Sequence, residues 1–277
     1  MVYVTKFDGR KEPFLKEKII RTCLRMRASY EQAKAIADEI EKRAYDGIPT
    51  KKILELIFKY LKNFKPEVKY QIDLREAIAL LKPKPDFEKF VQLILSEYGY
   101  EVKTNLVLAG SCVEHEIDGI LRKGDEIIML EVKHHLNHHV YTGLDVVLEV
   151  NSTLEDLKEG FKLGKNTINF SRALIVCNTK FSDHAIRYAK CKGIELIGWK
   201  YPEEKGLESL IEEKKLYPIT FLRDLDEKVR EKFSVAGIFL LKQLLDLSLE
   251  EIHEKTGISR SKLRKLVENA KEIISSK

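Results

Sequence analysis

The sequence predicts a multidomain chain of α and α/β class: a mostly helical first segment, an α/β core and a small all-α tail. Three observations carry that prediction. Lys82-Pro83-Lys84-Pro85 sets two prolines in four residues behind a helical run, where continuing the helix is disfavoured twice. Tyr217-Pro218 closes a charged stretch and precedes a tail of purely helical pattern. Between these breaks, short strand-like segments stand among helical ones, the mixture of an α/β unit. The boundaries fall at 1–82, 85–218 and 219–277, and at ~150 residues per domain a length of 277 suits two domains, or three if some are small.

Composition narrows the class further. Charged residues make up 34% of the chain and hydrophobic residues 44%, a balance that excludes both a disordered chain and a membrane protein. No apolar run approaches the ~18 residues of a membrane helix. The start, Met1-Val2-Tyr3-Val4-Thr5-Lys6, alternates apolar and polar residues without the apolar stretch of a secretion signal, so a cytoplasmic protein with no membrane partner is expected. Cysteines at 23, 112, 177 and 191 contain no C-x-x-C pair, which points to reduced, mostly buried thiols. The net charge of +5 is unevenly spread: 20 basic and 12 acidic side chains in 1–84, 17 and 22 in 85–218, 12 and 10 in 219–277. An acidic middle between basic flanks suits a polyanion held at both ends and processed by carboxylates between them.

The first segment opens with a hairpin, Tyr3 to Lys6 and Arg10 to Pro13, around Asp8-Gly9, a dipeptide that supplies a two-residue turn. Helical spacing then covers Leu15 to Met26, Tyr30 to Tyr45, Thr50 to Asn63 and Pro66 to Leu81, with Thr50 expected at an N-cap. The run Val4-Thr5-Lys6-Phe7-Asp8-Gly9-Arg10-Lys11-Glu12-Pro13-Phe14, the following Lys18-Ile19-Ile20, and the Ile48-Pro49-Thr50 helix start resemble the ATP-cone. That is the nucleotide-binding regulatory domain of ribonucleotide reductases and of their transcriptional regulator. The resemblance covers residues 2 to about 82. It implies that ATP or dATP binds as a regulatory ligand, with Lys6, Arg10 and Lys18 converging with the Thr50 helix start on phosphates and Glu12 meeting the base. Where the family usually has Lys-Arg before Asp-Gly, this chain has Lys6-Phe7.

In the middle segment, Asp86 to Tyr98 has the pattern of an amphipathic helix closed by Gly99, followed by strands near Glu101 to Leu108, Val113 to Leu121 and Glu126 to Lys133. Arg172 to Cys177 is a further strand, Ser182 to Lys192 a helix and Ile194 to Trp199 another strand. Side chains alternate along a strand, so Glu114, Glu116 and Asp118 share one face. A loop of Lys123-Gly124, or of the four residues from Arg122 to Asp125, sets Glu116 opposite Glu131 and Glu114 opposite Lys133. Like charges facing one another destabilise a sheet, so the patch calls for a cation. A hard divalent ion, Mg²⁺ or Mn²⁺, suits such ligands: Asp118 and Glu131 would hold it, Lys133 would orient water or neutralise developing charge, and Glu88 could reach the site from the preceding helix.

These pieces, with Phe87-Glu88, Gly99-Tyr100-Glu101-Val102, His115-Glu116-Ile117-Asp118, Glu131-Val132-Lys133 and Ala173-Leu174-Ile175-Val176-Cys177-Asn178, resemble the PD-(D/E)xK nuclease superfamily, in its Mrr-like restriction endonuclease branch. The resemblance runs over residues 85 to about 200 and implies metal-dependent phosphodiester hydrolysis on DNA. His134, His135, His138 and His139 stand beside the candidate site as metal ligands, substrate contacts or plain polar loop; His115, on the opposite strand face, is expected in the core.

The tail carries a capping box at Ser248-Leu249-Glu250-Glu251 and a second helix from Ser259 bearing Arg260, Lys262, Arg264 and Lys265. It resembles a helix-hairpin-helix or helix-turn-helix, with a packing or dimerising hairpin as the other reading. The function expected from the whole is a DNA endonuclease controlled by bound nucleotide, assembling as a homo-oligomer, a dimer. The alternative is a nucleotide-sensing DNA-binding regulator with an inactive nuclease fold.

Overall fold

The structure, a computed structural model, describes residues 2–26, 28–65, 70–223 and 225–275. It divides into two compact units, one of Met1–Ile72 with Leu222–Asp224 and Arg264–Lys277, the other of Asp73–Phe221 with Leu225–Leu263. The multidomain α and α/β class follows directly from the elements in each.

In the first unit, β1 (Tyr3–Thr5) and β2 (Lys11–Pro13) pair antiparallel with Val4 opposite Glu12, turning through Gly9 at φ 82. Helices α1 (Lys16–Arg25) and α2 (Tyr30–Arg43) follow, the second opened by a reciprocal capping box between Ser29 and Gln32. A two-residue strand, β3 (Ile48–Pro49), adds to β1 in parallel and runs straight into α3 (Thr50–Leu61). Pairing to β1 makes Pro49 the extended residue at the N-cap, so Thr50 is the first helical residue and makes no cap. Ile19, Cys23, Ile36, Ile40, Ile57 and Leu61 close the core of this unit. Of the expected fourth helix, Pro66 lies outside the described residues. The helix that exists is α4 (Leu74–Ala79), started by the Asp73 carboxylate, which accepts from the Arg75 and Glu76 amides, and it belongs to the second unit.

After α4 the 83–87 stretch forms one wide turn, so α5 (Glu88–Glu97) begins two residues later than its apolar pattern suggests and buries Phe90, Val91, Ile94 and Leu95. A five-stranded mixed sheet follows. Strands β4 (Glu101–Ala109), β5 (Glu114–Lys123) and β6 (Glu126–Lys133) form an antiparallel meander. After the short β7 (Tyr141–Thr142), α6 (Leu144–Lys162) crosses over to β8 (Arg172–Cys177), which lies parallel to β6. Then come β9 (Lys180–Phe181), α7 (Asp183–Lys192) with its Ser182 cap, and β10 (Glu195–Ile197), parallel to β8, giving the order β10-β8-β6-β5-β4. The sequence reading assigns nothing to α6, although Val147, Val150, Leu154 and Leu157 recur at helical spacing and bury against the sheet. Polar Asn151, Ser152 and Thr153 interrupt that stripe and mask it.

A further helix, α8 (Leu207–Lys214), precedes the tail, which carries α9 (Glu227–Val235), α10 (Leu241–Asp246), α11 (Leu249–Thr256) and α12 (Arg260–Ser275). The capping box of Ser248 and Glu251 forms as expected, and Gly257 at φ 60 ends α11. No helix among the described residues is long and apolar enough to cross a membrane. Cys23 and Cys177 are buried, but Cys112 and Cys191 are exposed.

One polar clasp ties β5 to α6. Asp156 accepts from the Cys112 amide at 2.8 Å and the Val113 amide at 3.4 Å, and its Oδ2 lies 2.7 Å from His115 Nε2. His115 is thus half-buried and bonded rather than enclosed by apolar core. This contact first, then the amides, outweighs desolvation and holds the Asp156 carboxyl well below the usual range. A carboxylate whose folded pKa is depressed adds stability above its unfolded value of about 4 and loses it as pH falls. Asp156→Asn should therefore lower the melting temperature at pH 7, and the gap to wild type should shrink below about pH 4. Thermal melts across pH 2 to 7 (about five points) read this directly; a gap independent of pH would remove the charge from the explanation.

Candidate active site

The β5–β6 hairpin sets the geometry. Lys123 pairs with Glu126 and Gly119 with Leu130, so the loop is Gly124-Asp125, with Gly124 at φ 58 in the first loop position as a primed turn allows. The expected pairing of Glu116 with Glu131 is therefore off by two residues. Because the shift is even, the acids keep their common face, and one step past the last pair Asp118 meets Glu131. There the ladder ends, because the Asp118 Oδ2 accepts the Val132 amide at 2.7 Å.

Asp118 is buried, and the Gln92 side chain of α5 donates to its main-chain oxygen at 3.3 Å. Glu131, two residues before Lys133 on the same strand face, bonds the lysine ammonium at 2.8 Å. Glu149 of α6 approaches the same ammonium at 3.8 Å. Burial first and the Asp118 charge second push the Glu131 carboxyl above its usual range, against the pull of Lys133. Glu88, buried at the start of α5, is raised by the same two causes in the same order. Lys133 is disfavoured by burial, yet Glu131 and Glu149 outweigh that and raise it.

Lys84, absent from the sequence-derived site, stands in the same group. Its Nζ lies 3.3 Å from Glu88, 3.3 Å from Glu116 and 3.4 Å from Asp118. Burial opposes its charge, but Asp118 and Glu88 outweigh burial and raise its pKa. The i to i+4 spacing from Lys84 to Glu88 was the signal available; two flanking prolines made the lysine read as linker. Glu149 had no such signal, since it sits on the unassigned helix.

The donor set is two carboxylates of hard oxygen brought to one face by the hairpin, each with a lysine beside it. No group of three or more His, Cys, Asp or Glu side chains among the described residues converges as a metal cage. Mg²⁺ commonly takes one or two carboxylates and keeps waters, so Asp118 and Glu131 fit it chemically.

The histidines bond protein groups. His134 Nε2 lies 3.1 Å from the Ile78 oxygen with its ring 4.8 Å from that of Phe87, and His135 Nε2 lies 3.1 Å from Thr142 Oγ1. The His138 oxygen accepts from the Arg75 guanidinium, and the His138 and His139 rings sit 4.3 Å apart. Asn178, also missed, clamps both backbone groups of His135: Oδ1 accepts its amide and Nδ2 donates to its oxygen, each at 2.8 Å. This extends strand pairing beyond Lys133 where the β6–β8 ladder stops.

In the first unit, Lys6 and Lys18 both reach Glu12, at 3.2 and 2.6 Å. Lys18 and then Lys6 hold the Glu12 carboxyl below its usual range. Arg10 bonds Asp8 instead, with Nε 2.6 Å from Oδ2. The β1–β3 register carries Thr50 to a position one step past Thr5 and Pro49.

Family models match three stretches: an ATP cone domain over 2–77, a restriction endonuclease domain over 82–200, and an AF1548-like C-terminal domain over 217–274. An uncharacterised protein of Archaeoglobus fulgidus is 39% identical over 181 residues, 65% of this chain and 98% of the relative. A second uncharacterised protein from that organism is 51% identical over 45 residues, 16% of this chain and 94% of its own length. The solved crystal structure of AF1548, a protein of unknown function, is 39% identical with a TM-score of 0.58, covering 68% of this chain and 97% of that one. Identity of this level along nearly the whole of the relative places the chain in the AF1548-like family, here with an ATP-cone domain ahead of the restriction-endonuclease-type domain.

Proposed function

We propose that the protein is a metal-dependent DNA endonuclease whose action is controlled by ATP or dATP bound to its first domain, with 1–82, 85–218 and 219–277 as the regulatory, catalytic and DNA-contacting or assembling parts. One observation carries the reading: Asp118 and Glu131 meet across the end of a buried hairpin with Lys133 on the same face. A stable fold gains nothing from two facing acids, whereas a cation site between them does. Mg²⁺ or Mn²⁺ bound there supplies Lewis-acid stabilisation of the scissile phosphate and favours the hydroxide form of the attacking water. Asp118 is kept in place by the Val132 amide and Gln92, so it presents one remaining oxygen in a fixed direction. Lys133 is held between Glu131 and Glu149 and has hydrogens left to donate to a phosphate oxygen as charge develops there.

Incubation with plasmid and Mg²⁺ or Mn²⁺ should give nicked or linear DNA, and Asp118→Ala should slow cutting roughly 10²- to 10³-fold, the value of losing several kcal/mol of transition-state stabilisation. Tight DNA binding without cutting of duplex, branched, methylated or single-stranded forms in either metal would favour the regulator instead.

For the first domain, Lys6, Lys18 and Glu12 are the proposed nucleotide-contacting group, with Arg10 released from Asp8 and the Thr50 helix start completing the phosphate contacts. Calorimetry of the full-length protein with ATP or dATP should show Lys18→Ala binding roughly tenfold more weakly, the loss of a charge-assisted contact, while exposed Lys34→Ala binds like wild type. Equal affinities for the two variants would move the site elsewhere.

A further inference from the structure

The 82–87 connector is anchored near both ends within the second unit. Lys82 bonds Glu231 of α9 at 3.1 Å, its amide donates to Asp86 at 3.3 Å, and the Ser234 hydroxyl of α9 donates to the Asp86 carboxylate. Lys84, extended at φ −120 and ψ 134 between two prolines, cannot shift its backbone far without breaking these contacts. Its side chain is 61% exposed, while the ammonium is shared almost evenly among Glu88, Glu116 and Asp118. Three acids from a helix and a strand thus share one ammonium, whereas a surface ion pair has a single close partner.

The oxygen inventory of Asp118 makes this consequential. Oδ2 accepts the Val132 amide, and Oδ1 is the oxygen that faces Lys84. Oδ1, the oxygen without an amide donor, is the more open ligand for a divalent ion on Asp118, and an ammonium beside that ion would face like-charge repulsion at a few ångström. We propose that Lys84 is a tethered cation that fills the acid cluster in the metal-free protein and swings out to solvent when a divalent metal binds. This rests on the assignment of Asp118 and Glu131 as metal ligands. Metal loading is then an exchange of one cation for another, carried by a residue in a connector whose Lys82 and Asp86 are bonded to α9.

Calorimetry of the full-length protein with Mn²⁺ alone tests it. Lys84→Gln should bind Mn²⁺ roughly tenfold more tightly than wild type, because no competing ammonium has to leave. Lys84→Arg, which keeps the charge, should gain nothing. In chelator, Lys84→Gln should melt below wild type, and Mn²⁺ should raise its melting temperature by more than it raises that of wild type. Lys84→Met provides a second neutral variant if the glutamine form does not fold. Wild type and neutral variants binding Mn²⁺ equally, with Asp118→Asn binding none, would overturn the exchange and leave the metal site standing. No saturable Mn²⁺ binding by any of them would overturn the metal assignment itself, and the exchange with it.

Discussion

Two carboxylates facing each other at the buried end of a hairpin cost the fold energy, and much of the second unit is arranged around that cost. At cross-strand separations of about 5 Å and an effective dielectric near 20, two like charges repel by roughly 3 kcal/mol, a large share of the ~5–15 kcal/mol by which a domain is stable. The chain offsets the repulsion locally. Lys133 answers Glu131, Lys84 answers Asp118 and Glu88, and the Val132 amide takes the second oxygen of Asp118. None of these groups is optional in the metal-free molecule, since removing any one leaves an acid under-compensated at low dielectric.

Holding the lysines requires a second layer of structure. Lys133 sits at the last residue of β6, where a strand would ordinarily fray. Asn178 prevents this by bonding both backbone groups of His135, and His135 in turn reaches Thr142, whose hydroxyl lies 2.7 Å from that of Thr179. His134 fixes the same segment to the end of α4 through the Ile78 oxygen. A histidine-rich stretch beside facing carboxylates invites reading as ligands. Here one ring nitrogen each of His134 and His135 is engaged by protein groups that hold the strand end, and so the lysine, in place.

How much of this was legible depends on which signals survive compression into one dimension. The hairpin, the shared face of Asp118 and Glu131, and the Lys133 position follow from strand alternation, and a register error of two residues left them intact because parity is all that a face requires. Opposed pairs are another matter: they depend on which residues form the loop, and Gly124 could occupy either central position. The helix start at Thr50 was legible, but the pairing of Ile48 and Pro49 with β1 was not, since a two-residue parallel strand has no periodicity to detect. Lys84 was hidden for a different reason. Its partners Glu116 and Asp118 lie more than 30 residues away, and only the folded turn at the two prolines aims it at them.

The same turn explains why a proline-rich connector is placed directly against the acids rather than at a distance. A flexible tether bearing a lysine would sample the cluster weakly, because each closure would cost chain entropy that grows with tether length. Two prolines and the contacts to α9 remove that freedom in advance, so the ammonium is presented at an effective concentration set by one side chain alone. On the proposed exchange, such a cation would leave for a doubly charged ion and return without reorganising the backbone. On that same exchange, a rigid connector with one mobile charge would give the acid cluster two compositions, protein cation or metal, within a single fold.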